Sequence, residues 1–183
     1  PWRTAFPVHP GDILNIRDVE QGLEQMKRVS SQSVTMQLLP GTAVGTSIIE
    51  LSIKQEKPVH GSISIDNSGL ESTGVYQGSF TASLDQVFRA NDTLTMSLSG
   101  DLSGAGSIKG TRAASLNYVI PHGKDTFSLS FSKSKYHQTI QSNPYDFTYS
   151  GKSTTMKAKW NHVWSRTQRE KRAFDISIST RHN

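Results

Sequence analysis

The sequence predicts a mainly β fold: an antiparallel sheet of barrel-wall type, preceded by a small α/β unit. Three observations carry this. From residue 58 onward, seven consecutive segments alternate apolar and polar residues with period two. The connectors between those segments are alternately short and long. Before residue 58 the pattern is different, with one amphipathic helix followed by two strands.

The helix begins at Asn15, a capping residue, with Asp18 placed to complete a capping-box-like pair and Leu14 and Val19 placed as a hydrophobic staple. Ile16, Val19, Leu23 and Met26 then share one face. Gly22 costs this helix about 1 kcal/mol relative to alanine. Lys27 and Arg28 suit its negative end. Ser33–Leu39 and Thr46–Gln55 read as two strands joined by the turn Pro40-Gly41-Thr42-Ala43-Val44-Gly45. Lys57-Pro58 marks the boundary, which gives two units, 1–57 and 58–183.

The alternating segments are Val59–Asp66, Val75–Leu84, Thr93–Gly100, Arg112–Pro121, Thr126–His137, Gly151–Trp164 and Ala173–Thr180. In the second, Tyr76, Phe80, Ala82 and Leu84 oppose Gln77, Ser79 and Thr81. In the fifth, Phe127, Leu129 and Phe131 oppose Ser128 and Ser130; in the sixth, Met156, Ala158, Trp160 and Trp164 oppose Lys157, Lys159 and Asn161. Period two alone fits two architectures, a transmembrane antiparallel β-barrel and a soluble β-sandwich. Three details favour the barrel. Its polar face is small and uncharged for the most part, the strands are long and joined as hairpins, and short turns alternate with long loops without a Greek-key crossover. Tyr118, Tyr136, Trp160 and Trp164 are candidates for interfacial aromatic girdles. The sandwich would instead bury Phe80, Leu129, Phe131 and Trp160.

Composition excludes several functions. The chain has 183 residues, 34% hydrophobic and 19% charged, with no cysteine and a net charge of +5. Thiol catalysis and cysteine–zinc sites are therefore excluded. No run reaches the roughly 18 apolar residues of a membrane helix, and the opening residues carry no apolar signal-peptide core. The six histidines show no close metal-ligand spacing, and Gly151-Lys152-Ser153 lacks the upstream glycine of a phosphate loop, since position 146 is Asp146. Gly104, Gly106 and Gly110 read as a loop, and Asn91-Asp92-Thr93 as a turn instead of a glycosylation site. The cluster Arg166, Arg169, Lys171 and Arg172 reads as a solvated turn or a contact with lipid headgroups in preference to a nucleic-acid site. No constellation argues for an enzyme, a cofactor or a metal.

Two blocks carry a family resemblance. The stretch from Phe6 to Val29, with Arg17-Asp18-Val19-Glu20-Gln21 opening the helix, and then Ser33–Leu51 with Pro40-Gly41 and Gly45-Thr46-Ser47 at the turn, resembles the second POTRA module of the two-partner secretion transporters, the TpsB proteins. Ile63–Gly69, Thr73–Asp85 and Asn91–Ser99 resemble the first barrel strands of the same proteins. This implies the C-terminal part of a periplasmic α/β POTRA module followed by the first seven of about sixteen barrel strands, a piece of a longer protein that by itself neither inserts stably nor secretes. It further implies a Gram-negative outer-membrane pore that exports, without ATP, a dedicated TpsA-type exoprotein: a haemolysin, an adhesin or a contact-dependent toxin. Under this reading Gln21, Gln25, Arg28, Thr46, Ile48 and Glu50 are candidates for capturing the partner's secretion domain. Gln77, Ser79, Thr81, Ser128, Ser130, Lys157, Lys159 and Asn161 are candidates for the pore lining, with outer-membrane lipid as the other partner and no nucleic acid. The alternatives are a barrel-assembly factor, distinguished by the number of POTRA modules in its whole chain, and a soluble sandwich binding module.

Overall fold

The computed structural model describes residues 2–71, 74–102, 109–140, 145 and 147–183. A short helix α1 (Trp2–Ala5) leads into α2 (Ile16–Lys27), followed by the hairpin β1 (Gln32–Pro40) and β2 (Ser47–Gln55). Seven further strands follow: β3 (Val59–Asp66), β4 (Gln77–Asp85), β5 (Thr93–Asp101), β6 (Lys109–His122), β7 (Asp125–Ile140), β8 (Phe147–Arg166) and β9 (Lys171–His182). They form one sheet in strict chain order, every neighbouring pair antiparallel. The sheet is open, with β3 and β9 as its edges.

The small α/β unit has its own core of Ala5, Phe6, Val19, Met26 and Val34, with Leu23, Met36, Ile49 and Leu51 packed around it. Helix α2 starts as the sequence predicts, with the Asn15 side chain accepting from the Arg17 amide at 3.0 Å. Two expectations fail here. Asp18 does not close a capping box, because its carboxylate is drawn 2.7 Å from Lys124 in the turn after β6. Ile16 stays 44% exposed, outside the core. Gly22 gains an explanation: any Cβ there would overlap the Phe6 ring, so the helix carries a poor helix former to let that ring pack closely.

The seven-stranded sheet keeps the predicted alternation in register. Phe80 faces Leu98 and Ile63, while Ser79 faces Ser99 and Ser64. Phe131 faces Leu116 and Met156, while Ser130 faces Asn117 and Lys157. No second sheet covers the apolar face among the described residues. Leu129 is 60% exposed and Phe80 37%. That is the condition of a wall built to meet lipid, and not of a sandwich core.

The strands are longer than alternation alone predicted, mostly at the end with the long connectors. β6, β7 and β8 reach 14, 16 and 20 residues. Beyond an apolar band the backbone ladder continues although the side chains no longer alternate. Tyr136 is corrected by this register. It is paired with Gly151, on the polar side of β7, and packs on Tyr149 at 5.7 Å between ring centroids. A Cβ at residue 151 would overlap the Tyr136 ring, so the glycine is filled by an aromatic from the next strand. Residues 104 and 106, and position 146 of the phosphate-loop comparison, lie outside the described residues.

Candidate functional site

The first part of the site is the polar face of the sheet. Gln77, Ser79, Thr81, Ser128, Ser130, Lys157, Lys159 and Asn161 all lie on the side opposite the apolar band. They are tied to one another and to neighbours across the strands. Ser64 and Ser79 hydroxyls stand 2.7 Å apart, Thr81 and Ser97 3.3 Å, and Ser130 donates to Asn117 Oδ1 at 2.7 Å. Lys159 Nζ lies 3.2 Å from Asp175, whose carboxylate also accepts from Asn161 Nδ2 at 2.9 Å. At the far end, Thr111 donates to Gln77 Oε1 at 3.3 Å and Gln77 Nε2 donates to the Gly74 carbonyl at 2.7 Å. Cross-strand hydroxyl ladders of this kind satisfy their own hydrogen bonds and leave lone pairs toward water. They offer weak, replaceable partners and no apolar trap.

The second part is the junction between the α/β unit and the short turns. The turn between β4 and β5 is built on Asp92, whose fully buried carboxylate accepts the Phe88 and Ala90 amides at 3.1–3.2 Å and the Tyr118 hydroxyl at 3.0 Å. Gln32 joins this turn to β1: it accepts from Gln86 at 2.9 Å and donates to Asn91 at 2.8 Å. Asp85 accepts from the Ser31 amide at 2.9 Å and the Ser30 hydroxyl at 3.0 Å. At the β6–β7 turn, Gln25 Nε2 donates to the Gly123 carbonyl at 3.1 Å, and Arg28 donates to Thr126 Oγ1 at 3.1 Å.

The third turn, between β8 and β9, supplies charge. Arg166 donates to Gln21 at 2.9 Å and to Glu24 at 2.5 Å, and Lys171 reaches the other Glu24 oxygen at 2.5 Å. Burial pushes the Glu24 carboxyl up, but the hydrogen bonds and charges of Lys171 and Arg166 outweigh it and hold the group below its ordinary value. A β-bulge between Val163 and Ser165 makes this geometry. Before the bulge the even residues of β8 share the apolar side, as in the pair Trp160 and Ile176. The extra residue shifts parity, so Arg166 pairs with Lys171, and both reach helix α2.

These contacts correct two expectations. Gln21 and Gln25 are 2% and 1% exposed, their amides already spent on the turns, so this face is not open to a passenger in this arrangement. Arg166 and Lys171 pair with Glu24 and do not form a free basic cluster; Arg172 pairs with Glu170 at 2.8 Å. Thr46 and Ile48 lie elsewhere. With Phe6, Val8, Leu14 and Leu51 they line an open, largely apolar groove of about 720 Å³ beside β2, and Glu50 is exposed on the same strand. On the described residues, β2 is paired along one edge only.

The sequence profile of the haemolysin secretion/activation proteins ShlB/FhaC/HecB matches residues 45–183. The chain belongs to that family. A POTRA domain profile matches residues 1–40. Among curated relatives, the chain is 38% identical to outer membrane transporter CdiB-2 of Burkholderia pseudomallei over 98% of its own length and 31% of that protein's. It is 31% identical to the hemolysin transporter protein HpmB of Proteus mirabilis, over 95% of its length and 31% of the relative's. Among solved structures, CdiB from Escherichia coli superposes with a TM-score of 0.92 at 30% identity, covering 99% of this chain and 34% of that one. The chain thus spans about a third of the relatives it matches, and its open sheet corresponds to part of a transmembrane β-barrel.

Proposed function

We propose that the intact protein is an outer-membrane pore that recognises one dedicated exoprotein and exports it by two-partner secretion, without ATP. The observation that carries this reading is the mainly polar face of the seven-stranded sheet, broken by a few apolar residues such as Val119, together with a POTRA-type unit seated under its short turns. The relatives bear the names of outer membrane and hemolysin transporters. In this reading residues 1–57 stand in the periplasm and residues 58–183 form wall. The sheet change between Gln55 and Val59 supports that division.

The two faces then have separate tasks. The apolar side meets lipid, and Gln77, Ser79, Thr81, Ser128, Ser130, Lys157, Lys159 and Asn161 line the conduit. An extended chain passing there exchanges hydrogen bonds with hydroxyls that already have partners, so no single step holds it strongly. Capture falls to Thr46, Ile48 and Glu50 on β2, where Thr46 and Ile48 line a largely apolar groove that can hold an extended partner segment. Transport, not catalysis, is the role of these residues, and neither metal nor nucleic acid enters it.

The test uses the full-length transporter with its partner gene in a Gram-negative host. Single cysteines replace Ser130, Lys159 and Leu129, and the partner is arrested in transit by a folded C-terminal fusion. Thiol crosslinks to the partner are expected from positions 130 and 159 and not from 129. Crosslinking from 129 alone, or from none with secretion intact, overturns the assignment.

A further inference from the structure

The outward face of the sheet carries a cationic group that neither transport nor the junction uses. Arg112 on β6, Lys135 on β7 and Lys152 on β8 stand in one row across three adjacent strands. Lys133 lies two residues along β7 from Lys135. By parity all four share the side of Phe131, Leu116 and Met156, not the polar conduit side. All four are exposed, and among the described residues none forms an ion pair. Asp101, the acid beside this rim, accepts the Thr111 amide at 3.0 Å.

Their height is readable along β7. Asp125 marks the end nearest the POTRA unit, accepting from the Trp160 indole and bonding the His162 ring, each at 2.7 Å. Lys135 is ten residues further along. At about 3.3 Å per residue and a tilt of about 40°, that is about 25 Å along the barrel axis, the height of an outer-membrane apolar band. The cations therefore stand at the external headgroup level.

Below them lies a groove of about 720 Å³ whose floor is apolar, from Ile63, Ile65, Phe80 and Leu98. Its rim includes Arg112, Lys133 and Lys135. Two glycines on this side deepen it: a Cβ at Gly78 would stand 2.9 Å from Leu102, and one at Gly100 3.4 Å from the Arg112 stem. An apolar trough ending under unpaired cations complements an amphiphile with acyl chains and phosphate.

We infer that this face binds a phosphorylated, multiply acylated lipid of the outer leaflet, the acyl chains in the groove and the phosphate between Arg112, Lys133 and Lys135. The inference rests on the outer-membrane reading but not on transport. The guanidinium offers a fork to phosphate oxygens, and the lysines add point charges where lipid lowers the dielectric.

The experiment uses the full-length protein, folded and stripped of lipid in mild detergent. Native mass spectrometry measures binding of bis-phosphorylated lipid A, of its phosphatase-treated form, and of phosphatidylglycerol. Wild type should prefer the bis-phosphorylated lipid at least tenfold over both others. The triple variant Arg112→Gln, Lys133→Gln, Lys135→Gln should lose that preference. Removing three cations elsewhere, by Lys27→Gln, Lys54→Gln, Lys57→Gln, should keep it. The single variant Lys135→Gln, with at least a threefold loss, serves if the triple variant does not fold. Equal binding of all three lipids by wild type, retained preference in the triple variant, or an equal loss in the control triple would each overturn the proposal. Secretion of the partner is scored separately in the same strains, so a transport defect with lipid preference intact bears on the transport reading alone.

Discussion

Glu24 is where the α/β unit and the sheet are joined by charge, so Glu24→Gln is the informative perturbation. Its carboxylate holds Arg166 and Lys171 at 2.5 Å each, and the three side chains are 39%, 23% and 38% exposed. That exposure argues against the large energies of a buried triad. Solvent-screened pairs contribute about 0.2–1 kcal/mol each, and a shared carboxylate in a partly enclosed network falls at the upper end. Glutamine keeps the shape and one acceptor, so the loss should be about 1–2 kcal/mol, a factor of about 5–30 in the undocked population. Spin labels at positions 54 and 169 of the full-length protein would read it as the fraction of pairs at the docked distance. Glu24→Gln should broaden the distribution. Raising salt to about 1 M, where the screening length is about 3 Å, should do the same to wild type and less to the variant. A variant distribution superimposable on wild type would refute the reasoning and leave docking to the Gln25, Ser31 and Gln32 hydrogen bonds.

The pH dependence of the same junction has a fixed sign. The Glu24 carboxyl is held below its ordinary value near 4.5 in the folded state, so its contribution is complete above that value and is lost as pH falls through the lower folded one. The docked fraction should be flat from about pH 7 to 5 and fall below about pH 4; a transition near pH 6 would implicate a histidine instead. Gly22→Ala should lower the thermal midpoint of the α/β unit in calorimetry. The helix gains about 1 kcal/mol, but the overlap with Phe6 costs about 1–3 kcal/mol, and a raised midpoint would show that the ring moves aside freely. Leu129→Arg should cost about 2–4 kcal/mol near mid-membrane while Ser130→Arg costs close to none, read as heat-modifiable gel migration of the full-length protein. Equal losses at both positions would sink the assignment of faces.

The parts legible in the sequence were those governed by a repeating constraint. A wall between lipid and water must alternate, so Phe127 to Phe131 and Met156 to Trp160 announced their faces through residue type alone. The Asn15 cap was legible because the amide it accepts from, that of Arg17, lies two residues along the chain. The junction was not, because its partners are far apart in sequence: Gln25 and Gly123 by 98 residues, Glu24 and Arg166 by 142. Polar residues on a helix look the same whether they face water, a passenger or a turn of the same chain. Gly22 misled for a related reason, since its value lies in what Phe6 requires and not in its own helix. The bulge before Ser165 left one visible trace, the apolar Val163 at a position where alternation asks for a polar residue.

Both ends of the wall depart from alternation, and the departures have one cause. Within the bilayer every outward residue is tested against hydrocarbon, so a charge there is expensive and parity is enforced. Past the band that test ends, while the backbone ladder can continue, as β7 and β8 do for many residues. The positions freed from alternation are then available for other bonds. On the POTRA side the bulge turns Arg166 inward to Glu24, and Asp85 and Asp92 organise a turn that a lipid-facing residue could not. On the external side the same freedom admits Arg112, Lys135 and Lys152 in a row, an arrangement that self-repulsion disfavours unless an anion sits on it. In a β-barrel wall, then, a broken alternation near a strand end is not noise in the pattern but a mark of where the chain has a partner other than lipid.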